Sequence, residues 1–109
     1  MANKIKVLIA YRDLTVLSRI YLALLHRNYK VEATDNAAEM KERIARLKPA
    51  LVILGEEEFL ASYDWLKLPL LLLTDNPNFP EQPMILQGMK AEVHLPVEKL
   101  LALINEVVL

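Results

Sequence analysis

The sequence predicts an α/β fold, a parallel sheet with helices on both faces, and three observations carry that reading. The runs "KIKVLIA" (4–10), "ALVIL" (50–54) and "PLLLLT" (69–74) are short and almost wholly apolar, as strands buried on both sides must be. The segments between several of them place apolar residues at helical spacing. Strand and helix patterns alternate along the whole chain, an order that implies right-handed crossovers between parallel strands.

Composition bounds the rest. A length of 109 residues reads as one compact domain with a single core. The hydrophobic fraction is 54% with no apolar stretch near the roughly 18–20 residues that a membrane helix needs, so no span or signal peptide is expected. Thirteen Lys and Arg against fourteen Asp and Glu leave a net charge of −1, and no global field draws this chain to nucleic acid. The absence of cysteine removes thiol nucleophiles, disulfides and Cys-based zinc sites, in keeping with a cytoplasmic location. Two histidines, His26 and His94, offer little to catalysis or metal binding, and both are read as structural or surface residues.

The elements follow in order. "KIKVLIA" is the first strand and ends in the polar group Tyr11, Arg12, Asp13. Asp13 is the N-cap of a helix with Leu14, Leu17, Ile20, Tyr21 and Leu24 along one side, and Asn28 suits the left-handed conformation that closes it. "YKVEAT" (29–34) alternates as an edge strand does. Asp35 or Asn36 then caps a helix with an apolar stripe of Ala37, Met40, Ile44 and Leu47, whose solvated face pairs Glu39 with Arg43 and Glu42 with Arg46. Pro49 ends it, and "ALVIL" follows as a central strand. "FLASYDWLK" leaves room for about two helical turns, so the third helix is short or irregular. "DNPNFPEQP" (75–83), with three of the six prolines, is a loop before any helix at 84–89. "AEVHL" (91–95) is the fifth strand, and Pro96 opens a last helix.

"KIKVLIAYRD", "NYKVEATDNAAEM", "KPALVILG", "LPLLLLTD" and "GMKAEVHLPVEKLLALI" resemble, in order and spacing, bacterial response regulator receiver (CheY-like) domains over nearly the whole chain. The intervals from Thr74 to Gly88 and on to Leu95 and Pro96 are similar to those separating that family's hydroxyl residue, its glycine and its Lys-Pro pair. The resemblance implies a flavodoxin-like (βα)5 sheet of order 2-1-3-4-5 with its site at the carboxyl ends of strands one and three. It also implies phosphoryl transfer to an Asp, with Mg²⁺ held by acids and a hydroxyl and a Lys on the phosphoryl oxygens. Carried over position by position, the acidic pair falls at Tyr11 and Arg12, the acceptor at Gly55, the hydroxyl at Thr74 and the Lys at Leu95. Only Thr74 retains the required chemistry. Glycine has no nucleophile, and a guanidinium at a metal-ligand position repels Mg²⁺. The aromatic that moves with the hydroxyl in switching receivers is replaced by Glu92. The resemblance therefore points to a degenerate pseudo-receiver with no metal and no cofactor.

The residues around these positions have their own readings. A Glu56 stand-in for the acceptor is disfavoured, because one position past the strand end it points to the opposite face if the strand continues. "EEE" (56–58) reads as a solvated loop; the alternative reading is that Arg12 pairs with Asp13 or Glu56 and fixes the crevice in one state. Trp65, Phe59 and Tyr63 read as core anchors, and Met84 and Met89 as gap-fillers. With Gly55 and Gly88 the only glycines, there is no Gly-rich phosphate loop.

The expected role is thus a protein-interaction or dimerisation module in bacterial signalling or transcription regulation, not an enzyme. The rival is an anion sensor using the crevice of Tyr11, Arg12, Thr74 and Asp75. Leu103 and Val107 broaden the apolar arc of the last helix and, with Met84, Ile85 and Met89, make the expected interaction face; Leu22 on the first helix offers a competing one. The partner is a protein, a second copy or an output domain in the same chain, since "INEVVL" ends inside an apolar helix as in a domain cut from a longer protein.

Overall fold

The computed structural model describes residues 4–79 and 88–108. Five parallel strands form one sheet in the order β2-β1-β3-β4-β5, where β1 is Ile5–Ala10, β2 Tyr29–Thr34, β3 Leu51–Leu54, β4 Leu70–Leu73 and β5 Gly88–Ala91. The helices are α1 (Leu14–Leu25), α2 (Met40–Leu47), α3 (Glu56–Ser62) and α4 (Val97–Val108), with a 3-10 turn at Ala37–Glu39 leading into α2. This is the flavodoxin-like arrangement, and β2 lies at an edge as its alternation requires. No helix among the described residues is long and apolar enough to cross a membrane.

Strand alternation sorts the core into two layers. Val7, Ile9, Leu51, Ile53, Leu71 and Leu73 face α1 and α4, meeting Leu17, Ile20, Leu24, Leu100 and Ile104. Ala10, Val52, Leu54, Leu70 and Leu72 face the other way, onto Met40, Phe59, Leu66 and Phe79. Phe59 is fully buried and meets Phe79 edge-on at 5.9 Å, and Trp65 packs at the margin while Tyr63 is exposed. Phe59, and Trp65 at the margin, pack as the expected anchors, whereas Tyr63, expected with them in the core, is exposed because it follows the last residue of α3.

Local chemistry explains the boundaries. Asp13 caps α1 by accepting the amides of Thr15 and Val16 at 2.9 and 3.3 Å. Asn28 takes φ 71°, two residues beyond the C-cap His26. Asn36 accepts the Ala38 amide at 3.0 Å, which opens the 3-10 turn. Glu39 and Arg43 form the expected i,i+4 pair at 3.1 Å. Arg46, however, reaches Glu32 on β2 at 2.7 Å in place of Glu42, because the adjacent strand offers a carboxylate that tertiary packing brings closer.

Three further expectations need correction. Residues 56–58 are not a loop: β3 stops at Leu54 and α3 begins at once, with Gly55 as N-cap and the three glutamates filling the first turn, where the helix dipole favours acids. The fifth strand is Gly88–Ala91, paired from Leu70↔Gly88 to Leu73↔Ala91, so it lies upstream of "AEVHL". Val93 and His94 form a turn whose Val93 amide goes to Asp75 Oδ1 at 2.9 Å instead of to a ladder. Gly88 and Met89 are consequently strand and not helix, while 84–87, with Met84 and Ile85, lie outside the described residues. Met89, Leu103 and Val107 are half-buried and pack against the core, whereas Leu22 is 50% exposed.

Candidate functional site

The carboxyl ends of β1, β3 and β4 converge on one cleft. The register Ala10↔Leu54 sets the residues that follow, Tyr11 and Gly55, side by side. Tyr11 is held by its amide, which donates to the Thr34 carbonyl at 3.1 Å, and Thr74 by its own, which donates to Ala91 at 2.9 Å. The cleft has a volume of about 520 Å³ and is lined by Tyr11, Arg12, Asp13, Gly55 and Glu56 to Glu58, with Leu73 and Val93 behind.

Gly55 is buried, and its φ of −94° is open to any residue, so backbone freedom is not why a glycine stands there. Space is. A Cβ at this position would lie 2.8 Å from Tyr11 Cε2, 3.0 Å from Cδ2 and 2.8 Å from Glu58 Oε1. The Tyr11 ring and the Glu58 carboxyl fill the volume that a side chain on residue 55 would enter. Glu58, only 4% exposed, is the residue that sequence reading missed. Its signal was present: a glycine N-cap followed three residues later by Glu is half of a capping box, in which the Glu folds back toward the cap.

The other positions are also re-engaged. Glu56 does not point away from the crevice; the strand alternation ends with β3, and its Oε2 accepts the Thr74 hydroxyl at 2.6 Å. The Thr74 oxygen in turn accepts the Asn76 amide at 3.0 Å. Arg12 pairs with neither Asp13 nor Glu56 but with Glu57, at 3.1 and 3.2 Å, because Glu57 is the first-turn residue that α3 turns toward the rim. Leu95 is not among the residues lining the cleft: it packs on the core, and its carbonyl accepts Arg19 at 2.7 and 3.3 Å.

The electrostatics are those of an acidic cleft. Burial, then Asp13, Glu58, Asp75 and Glu56, push the Tyr11 phenol above its ordinary range. Burial, assisted by Glu57, also raises Glu58, while the backbone amides of Glu58 and Gly55 and the Arg12 guanidinium oppose the rise. The residues that the resemblance sets at the acidic pair, Tyr11 and Arg12, are a phenol and a guanidinium already bound to Glu57, and neither suits Mg²⁺. Among the described residues no group of three His, Asp or Glu is placed to hold a metal ion.

No family model matches the sequence, and no curated protein matches it. Solved structures do. A response regulator signal receiver domain from Bermanella marisrubri superposes with a TM-score of 0.84 at 16% identity, covering 95% of this chain and 98% of that one. The BeF3-activated N-terminal receiver domain of RstA from Klebsiella pneumoniae gives 0.78 at 21% identity, covering 94% and 97%. The N-terminal domain of a response regulator/sensory box/GGDEF 3-domain protein from Carboxydothermus hydrogenoformans gives 0.76 at 16%, covering 94% and 93%. The fold is that of receiver domains. Within that receiver fold, the crevice at the ends of β1 and β3 is occupied by the chain's own aromatic ring and carboxylates.

Proposed function

We propose that this chain is a phosphorylation-independent pseudo-receiver, a cytoplasmic protein-interaction module of bacterial signal transduction or transcription regulation. The observation that carries the reading is the filled space beside Gly55, where Tyr11 and Glu58 leave no room for an acceptor side chain. The pairing of Thr74 with Glu56 supports it further, because the hydroxyl that would follow an arriving phosphoryl group already has an anionic partner. Output then depends on surfaces. The face of Met89, Leu103 and Val107 is the candidate contact for an output domain or partner protein. A similar neighbour is the first domain of a three-domain protein, and we place this chain in such an arrangement.

The anion-sensing alternative is weaker. Asp13, Glu56, Glu57 and Glu58 line the cleft against the single guanidinium of Arg12, which Glu57 already engages. A net negative cleft repels the ligand that reading requires.

The test is incubation with a small-molecule phosphodonor and Mg²⁺, read by intact mass, for the wild type and for Gly55→Asp. Neither acquires a phosphoryl adduct, since the single change restores neither the metal ligands nor the Lys. A stoichiometric adduct on the wild type defeats the proposal, and robust labelling of Gly55→Asp shows that the acceptor position has been misplaced.

A further inference from the structure

The geometry points to a second copy of this chain at the open edge of the sheet: β2 pairs antiparallel with its own counterpart about a two-fold axis through Val31. This inference is independent of how the crevice functions.

Backbone direction comes first. The Thr34 carbonyl accepts from Tyr11, so it faces inward to β1, and by alternation so do the amides and carbonyls of Lys30 and Glu32. Those of Tyr29, Val31 and Ala33 therefore face outward, and Arg43 confirms the direction by donating to the Ala33 carbonyl at 3.3 Å from outside the sheet. An outermost strand with outward amides and carbonyls is a template for another strand.

The edge is complementary to itself. Centring on Val31 makes Val31 a hydrogen-bonded pair with its own copy and sets Lys30 opposite Glu32 of the second copy, twice, by symmetry. Opposite charges facing across an antiparallel pair attract. Lys30 is exposed, and no ion pair among the described residues engages it, whereas Glu32 already carries Arg43 and Arg46 at 3.6 and 2.7 Å. Other registers fit less well. Centring on Lys30 or Glu32 would use groups already bonded to β1, and centring on Ala33 would set Lys30 opposite Asn36 and lose the charge match. In the Val31 register the Ala33 carbonyl meets the Tyr29 amide of the second copy, so Arg43 releases that carbonyl on association.

The layer above agrees. α1 packs over β1 and β2, so two copies related through β2 would hold their α1 helices about 10 Å apart, two strand spacings, which is helix-packing distance. Leu22 overlooks this edge, sharing a groove with Val31 and Ala33 while half exposed. The second copy covers it.

Because the chain has no cysteine, cross-linking reads the register directly. Lys30→Cys and Glu32→Cys chains, mixed and mildly oxidised, give a disulfide-linked heterodimer, since facing residues lie about 4.5 Å apart between Cα atoms. Either variant alone gives little, its two thiols being offset along the strands beyond the roughly 7 Å limit. In sedimentation equilibrium the wild type associates, Lys30→Glu and Leu22→Glu weaken association by roughly tenfold, and the control Lys67→Glu, at an exposed position before β4, leaves it unchanged. A strictly monomeric wild type, equal cross-linking in single and mixed samples, or an equal loss in Lys67→Glu overturns the inference.

Discussion

The ring of Tyr11 and the bare Cα of Gly55 are fitted to each other, with 2.8 Å separating Cε2 from where a Cβ on residue 55 would stand. The contact makes position 55 intolerant of any side chain for reasons of packing and not of backbone conformation. Gly55→Ala should therefore destabilise the domain by about 1–3 kcal/mol, from overpacking and a weaker N-cap. In a Tyr11→Ala background the same change should cost distinctly less. Urea unfolding of the four proteins gives the coupling, and additive costs would show that the ring is not what excludes the side chain.

Glu58 should make the domain less stable as pH rises. Burial holds its folded pKa above the ordinary value of 4.5, so the folded state binds the proton more tightly than the unfolded chain. Its stabilising contribution is full below that ordinary value and is lost as pH climbs through the raised one. Glu39 works in the opposite sense, because the Thr34 hydroxyl and Arg43 hold its carboxyl low. Comparing Glu58→Gln with wild type cancels Glu39, and the variant's advantage should grow from about pH 4 to pH 7 in urea midpoints. A flat difference would mean that Glu58 is ionised without penalty.

Thr74 is tied at both ends, donating to Glu56 at 2.6 Å and accepting from Asn76 at 3.0 Å. Thr74→Val removes both bonds and should cost about 1–2 kcal/mol, whereas Thr74→Ser should keep most of that. Thermal denaturation separates the two, and equal melting of Val and Ser variants would assign Thr74 to simple packing.

Arg12 and Glu57 are 76% and 65% exposed in their side chains, so their pair is screened by solvent and salt. Arg12→Ala should shift stability by no more than about 0.5 kcal/mol. A larger loss would revive the idea that this arginine fixes the crevice in one state.

Most of the architecture was legible because buried parallel strands announce themselves as apolar runs, and because Asp13, Asn28 and Pro49 mark helix ends by local chemistry. What escaped the sequence was set by distance. Glu42 is the obvious mate for Arg46 along one helix, yet Glu32 on β2 takes it. "AEVHL" alternates as a strand should, but the Val93 amide is claimed by Asp75, and the ladder to β4 lies upstream. The three glutamates read as solvent-facing, since polarity hides a helix that begins on a glycine cap. At the site, the resemblance assigned roles to Tyr11, Gly55 and Thr74 by spacing alone, whereas the reason for Gly55 depends on Tyr11, a neighbour only once β1 and β3 are in register.

Because β1 lies between β2 and β3, residues 5–54 carry three adjacent strands and the helices that join them, and every later strand adds on one side. A chain leaving the ribosome N-terminus first can thus assemble this half before the rest exists. Until Leu70–Leu73 follows, the outer edge of Leu51–Leu54 is bare, uncharged and apolar, the composition that seeds aggregation. Glu56, Glu57 and Glu58 emerge immediately behind it. Charged residues directly flanking an apolar strand are the pattern by which sequences in general temper such a segment, and here that flank is the first turn of α3.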